Sequence, residues 1–303
     1  MIMINKGQIK KIFFVCLFLL LAGSLAYFYG LQGKTPAQEK NLGSNSDIAK
    51  PLIVILSPHF DDGVLSLGGL MAKREYPLLL ATFFTRRPAE VLHTNWDRIS
   101  GFSNSDEAVF LRTKENKEAL APFNAIIKNY DYPDLQYRKE NQDKEIQREI
   151  AKDIQSIITA YQNREIFMYG PGIFGKKITH PDHKIVHDAF MEVFRANKKA
   201  SLHFFIYEDF PYISQFMNAS RDTFNDFLNK RENMVFKQNP IELNKSELAE
   251  KISGIYAYKS QVKAFQSLGD NLGVLADKFF QSRCKDTYPK FYACEVVYSS
   301  SGF

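Results

Sequence analysis

Four of the chain's six histidines fall in two short clusters that also carry aspartates. The first, SPHFDDGVLSLGG at residues 57–69, holds His59, Asp61 and Asp62; the second, THPDHKIVH at 179–187, holds His180, Asp182, His183 and His187. Two adjacent carboxylates repel each other and resist burial unless a cation stands beside them. His59 and Asp62 are three residues apart, so a helical turn sets them side by side, with Asp61 adjacent but aimed elsewhere. One ligand from the second cluster would complete a three-donor set with an open position, as catalytic zinc has. Two histidines and an aspartate suit Zn²⁺ first and other divalent metals after it. The carboxylate left over is then available as a base. A plainer reading is local: aspartates at a helix start cap it, and a His-Pro-Asp-His turn does the same. The presence of both clusters, each behind an apolar run, favours the metal.

The elements that must position these residues are legible as apolar runs. LIVIL at 52–56, LLLATFF at 78–84, IFMYG at 166–170 and LHFFIY at 202–207 read as strands, the first buried on both faces. Residues 104–121 read as a helix, and 145–161 set Ile146, Ile150, Ile154, Ile157, Ile158 and Tyr161 on one helical face. HPDHKIVHDAFMEVF reads as a helix entered at its His-Pro start. Strand and helix in alternation predict an α/β fold, a Rossmann-like doubly wound and mostly parallel sheet with helices on both faces. In such sheets ligands bind beyond the carboxyl ends of strands, where both clusters fall. The stretch from about residue 215 reads as less regular C-terminal elaboration.

At this point the sequence resembles the PIG-L (LmbE-like) family of N-acetylglucosaminyl de-N-acetylases, zinc hydrolases. The resemblance rests on SPHFDDGVLSLGG, on the intact His-Pro-Asp-His at 180–183, and on weaker matches at LRTKENKEAL, YPDL, YEDFPY and YKSQ, over roughly residues 51–265. It implies that His59, Asp62 and His183 bind zinc, that Asp61 is the base, and that His180 stabilises the oxyanion. It further implies that Asp182 orients a histidine from behind. His180 is expected to act as a protonated imidazole, with an alkaline limb of the pH profile in part its own. Two departures stand out: Phe60 where the family has Pro, and Gly63 where it has Glu.

Other candidates are less determinate. Arg112 either reaches a sugar hydroxyl or phosphate, or pairs with Glu115. Asp134, in YPDL where the family has a Pro-Asp turn, is a further candidate for binding substrate. Trp96, in a loop after Arg86 and Arg87, is either a platform for a sugar face or structural. His187, one turn from His183, is either a further ligand or a packing histidine.

Residues 1–31 carry Lys6, Lys10 and Lys11 before an uncharged apolar run at 12–31, which reads as a signal anchor or a signal peptide. Ser24-Leu25-Ala26 fits a cleavage site. A polar linker follows at 32–50, then one catalytic domain at 51–303. The catalytic part is therefore expected outside the cytoplasm, held to the membrane by the N-terminal helix, or secreted or periplasmic if cleaved. Cys284 and Cys294 then form a disulfide or stay as two thiols; Cys16 lies in the apolar run. The net charge of +5 comes partly from those N-terminal lysines, and no basic, aromatic-interleaved track points to nucleic acid.

The expected function is thus a metal-dependent amidohydrolase removing acetyl from an N-acetylglucosamine-type sugar in a glycolipid or polysaccharide. The rivals are a zinc hydrolase of another amide or ester, and a non-catalytic glycan-binding protein of the same fold.

Overall fold

A computed structural model describes residues 50–300 apart from 176, 221, 222 and 286. The expected N-terminal anchor and most of the linker lie outside the described residues. Among those described, no helix is long and apolar enough to cross a membrane.

The chain runs β1 (Leu52–Ser57), α1 (Asp62–Lys73), β2 (Leu78–Thr82), α2 (Asn95–Ser100), α3 (Ser105–Leu120), β3 (Ile126–Asn129), α4 (Asp143–Ala160), β4 (Ile166–Pro171), α5 (Pro181–Ala196) and β5 (Leu202–Tyr207). It continues through α6 (Tyr212–Ala219), α7 (Phe224–Glu232), β6 (Phe236–Leu243), α8 (Lys245–Ala257), α9 (Lys259–Ser267), α10 (Leu272–Ser282) and β7 (Ala293–Ser300). One sheet in the order β3-β2-β1-β4-β5-β7-β6 carries all seven strands. The first five are parallel, and β7 runs antiparallel to both its neighbours. β1 is central and buried along its whole length, as its unbroken apolar run requires. On α4 the isoleucine stripe at 146, 150, 154, 157 and 158 is buried, each side chain contributing roughly 1.5–3 kcal/mol by leaving water.

The chain leaves β1 toward β2 and leaves β4 toward β5, in opposite directions, although β1 and β4 are neighbours. Right-handed crossovers then put helices on both faces and open a crevice between these two strand ends. The C-terminal third is more ordered than expected, with five helices from α6 to α10 and two strands among its described residues. β6 hides in the sequence because FKQNPIEL is a half-exposed edge strand interrupted by Pro240. β3 hides because only alternate residues of IIKN are partly buried.

Candidate metal centre and cavity

The turn from β1 into α1 is tied locally. Ser57 Oγ donates to the His59 carbonyl and accepts the Gly63 N–H at 2.9 Å; the His59 N–H donates to Asp62 Oδ2 at 2.7 Å. Asp61 occupies the N-cap position of α1, yet its side chain makes no capping bond. It accepts instead from Arg112 on α3, at 3.0 Å. Both aspartates are thus committed to the site, and neither serves as a helix cap.

His183 reaches the same point from the first turn of α5, at the end of β4. His59 Nδ1, Asp62 Oδ2 and His183 Nε2 form a triangle with sides of 3.2, 3.2 and 3.3 Å. Donors about 2.0–2.1 Å from a tetrahedral ion are about 3.3 Å apart, so the triangle is the size of one face of such a coordination shell. The other nitrogen of each imidazole meets a buried carboxylate. His59 Nε2 lies 3.1 Å from Asp182, which also accepts from the Leu135 N–H and from Arg138. His183 Nδ1 lies 2.5 Å from Asp209, just past β5. Carboxylates behind metal-ligating histidines fix their tautomer and raise their basicity. The donor set and its supports fit a divalent cation. Asp209 went unassigned in the sequence; its only signal there is the YEDF that follows an apolar strand.

Electrostatics agree with a site built for positive charge. Burial lowers the pKa of His59, but its bonds to Asp182 and Asp62 lift it to about 10. His183 is likewise raised, against burial, by Asp209 and Asp62. Burial pushes Asp62 up, but His183 and His59 hold it well below the usual carboxylate range. Asp61 is raised by burial and by Asp62, with Arg112 and His59 opposing. His180 departs from expectation. Burial and the neighbouring His59 and His183 push it down to about 3, so it is neutral, and an alkaline limb cannot be its own. It is the N-cap of α5, where its Nδ1 accepts the Asp182 N–H at 3.3 Å. That bond leaves the proton on Nε2, and the ring remains a donor without charge.

His59, Asp61, Asp62 and His180 line a cavity of about 270 Å³. Its walls include Trp96, Leu135, Tyr212, Gln261 and Phe265, and Arg112 and Asp134 reach it as well. Trp96 sits in the first turn of α2 and not in a loop. Arg112 does not pair with Glu115, which accepts from Ser260; its partners are Asp61 and, at 3.9 Å, Asp134. Asp134 lies 3.7 Å from His59 Nε2. His187 is fully buried between the Pro171 carbonyl and Glu232, away from the triangle. Phe60 packs under the Arg112 guanidinium, 5.7 Å from its ring centroid. At Gly63 a Cβ would lie 2.6 Å from Leu80 Cδ1, so Leu80 fills the space a glutamate stem would need. Cys284 and Cys294 are joined in a disulfide.

Residues 54–194 match a known family, described as PIG-L: GlcNAc-PI de-N-acetylase. No curated protein sequence matches the chain. Among solved structures, the zinc-inhibited form of a teicoplanin deacetylase is similar, with TM-score 0.66, 20% identity, and coverage of 83% of this chain and 99% of that one. So is an N,N'-diacetylchitobiose deacetylase from Pyrococcus horikoshii, with TM-score 0.54, 14% identity, and coverage of 86% of each chain. A 4-carboxy-2-hydroxymuconate hydratase from Pseudomonas putida also shares the fold, with TM-score 0.53, 13% identity, and coverage of 83% and 96%. At these identities the likeness establishes the fold, and the hydratase shows that this fold also carries other chemistry.

Proposed function

From the premise that residues 54–194 form a PIG-L family domain, we propose that the protein is a zinc-dependent de-N-acetylase. It hydrolyses the acetamide of an N-acetylglucosamine-type sugar in a glycolipid or glycan. The observation that carries this reading is the His59–Asp62–His183 triangle, open to a cavity beside a carboxylate that takes no part in it. Two imidazoles and one carboxylate around an open position suit zinc.

A divalent ion held by those three residues supplies Lewis-acid polarisation and makes water more acidic. The chain's own groups do the rest. Asp61 takes the proton from the attacking water and returns it to the leaving amine. Arg112 fixes which oxygen of Asp61 faces the cavity, through its 3.0 Å bond to the other. His180 donates from neutral Nε2–H to the acetyl oxygen as negative charge builds there. Asp182 and Asp209 hold the two imidazoles in register. Acetate and a free amino sugar are the products.

The basic-then-apolar N-terminus, together with the Cys284–Cys294 disulfide, supports action outside the cytoplasm, anchored or released. The test of the activity is Asp61→Asn. Bound metal should stay at the wild-type level while acetate release falls by roughly 10²-fold or more. A variant that keeps full turnover removes Asp61 from the mechanism. Release of acetate from simple amides but not from acetamido sugars would favour the rival hydrolase.

A further inference from the structure

Cys294, the second residue of β7, is joined to Cys284, just past the end of α10. Both cysteines are buried, and each is flanked by a residue that reaches back toward the donor triangle. Arg283, before Cys284, donates to the buried Glu208 carboxylate through Nε at 2.8 Å and Nη2 at 2.5 Å. Glu295, after Cys294, accepts the N–H groups of Gly69 and Leu70 on α1, the helix that begins at Asp62.

The two contacts converge on Asp209. One oxygen of its carboxylate lies against His183 Nδ1, and the other, Oδ1, is buried with no hydrogen-bond partner among the described residues. Its place is therefore set by the backbone on either side. On one side, Glu208 is held by Arg283 and by the Tyr298 hydroxyl at 2.7 Å, and its N–H donates to the Val296 carbonyl at 3.2 Å. On the other, the Phe210 N–H donates to Ser66 Oγ on α1 at 3.2 Å. β7 and the end of α10 thus hold both the carboxylate behind one ligand and the helix that carries another. Arg283 lies beyond the last turn of α10, where helix ends fray. The disulfide ties that end to β7.

We infer that the Cys284–Cys294 disulfide positions the metal centre through Arg283 and Glu295, and that closing it raises the affinity for metal. This rests on the metal-binding reading above. The chain then takes up its ion where the disulfide forms. Coupling of this kind is reciprocal, so bound metal protects the disulfide by the factor by which the disulfide tightens the metal. Each tenfold makes the reduction potential about 30 mV more negative.

The experiment titrates the full chain with Zn²⁺ against a competing chelator, in three forms. The first has the disulfide. The second is reduced by a phosphine, which is then removed: the S–S bond breaks, the phosphine gives two electrons and leaves as its oxide, and water supplies the oxygen and two protons. The third is Cys284→Ala with Cys294→Ala, which has no thiol at that place to bind the ion itself. A urea melt accompanies each. A staple that acts only by restricting the unfolded chain lowers the urea midpoint and leaves the affinity of the folded protein unchanged. Here affinity should fall by about tenfold or more in both disulfide-free forms, the cost of disturbing a group behind a metal ligand. With the disulfide intact, Arg283→Gln should weaken binding several-fold and Arg283→Lys should recover part of the loss; this pair decides the matter if the cysteine variant does not fold. Equal affinity with and without the disulfide, or wild-type affinity in Arg283→Gln, overturns the inference and leaves the metal-binding reading standing. No zinc bound by the disulfide form overturns that reading and this inference with it.

Discussion

At the residue scale the site is two layers of paired groups, and the outer layer was the harder to foresee. His59 and Asp62 announce themselves by type and spacing; the spacing leaves open which residue of the second cluster joins them, and the family resemblance points to His183, which the structure brings to the same place. Asp209 and Arg138 act on partners 26 and 44 residues away, where no local pattern links them. Arg112 was visible as a candidate, but its partner was not. Replacing Asp209 with Asn should weaken metal binding by roughly 10–100-fold, as measured by competition with a chelator, because His183 loses the carboxylate that orients it. Unchanged affinity would leave Asp209 a packing group. His180→Ala should retain metal and lose about 10²–10³ in kcat. His180→Gln, which keeps an N–H donor, should recover part of that loss. Since burial holds His180 neutral, the alkaline limb of the pH profile should stand at the same pH in both variants. Movement of that limb would show that the ring carries a working proton after all.

At the element scale, α1 explains the glycine pair in the first motif. The helix breaks at Leu67, whose φ of −125° and ψ of 22° release the N–H groups of the next turn. Glu295 on β7 accepts two of them, from Gly69 at 2.7 Å and Leu70 at 2.8 Å. Lys251 on α8 pairs with the same carboxylate at 2.7 Å, fully buried, with its ammonium 3.8 Å from the centre of the Phe280 ring. The neighbours on both sides approach too closely for a side chain: a Cβ at Gly68 would lie 2.9 Å from Lys251 on α8, and one at Gly69 2.4 Å from Leu243 on β6 and 2.9 Å from Glu295 on β7. Gly69→Ala should therefore cost about 1–3 kcal/mol in a denaturant melt. An alanine variant of wild-type stability would mean that Leu243 moves aside freely. The parallel strands were readable because burial on both faces leaves a continuous apolar run. The edge strands β3 and β6 were not, since half-exposed residues blur the period that defines a strand.

At the scale of the whole molecule, metal and protons compete for one place. In the metal-free protein His59 is raised from 6.5 to about 10 by its carboxylate neighbours. A raised imidazole stabilises the fold fully below its unfolded value, and that contribution is lost as pH climbs through the folded value. The chelator-treated protein should thus lose melting temperature between about pH 7 and pH 10, and the metal-loaded protein should lose less. A chelated protein whose melting temperature holds level across that window counts against the arrangement of His59 between Asp62 and Asp182.

The grip of Glu295 on α1 also sets an order in time. The donor triangle and Asp61 are complete by residue 183, and the family match ends at residue 194. Yet α1, which carries Asp62 in its first turn, is tied at its break by a carboxylate from the last strand, 226 residues downstream of Gly69. Until that strand is made, Lys251 has no carboxylate partner and the broken turn of α1 has two unanswered N–H groups. A nascent chain that has already emitted both histidine clusters still lacks the clasp that seats them. A ribosome stalled short of residue 295 therefore leaves a chain with both histidine clusters present and the helix beneath them unlatched.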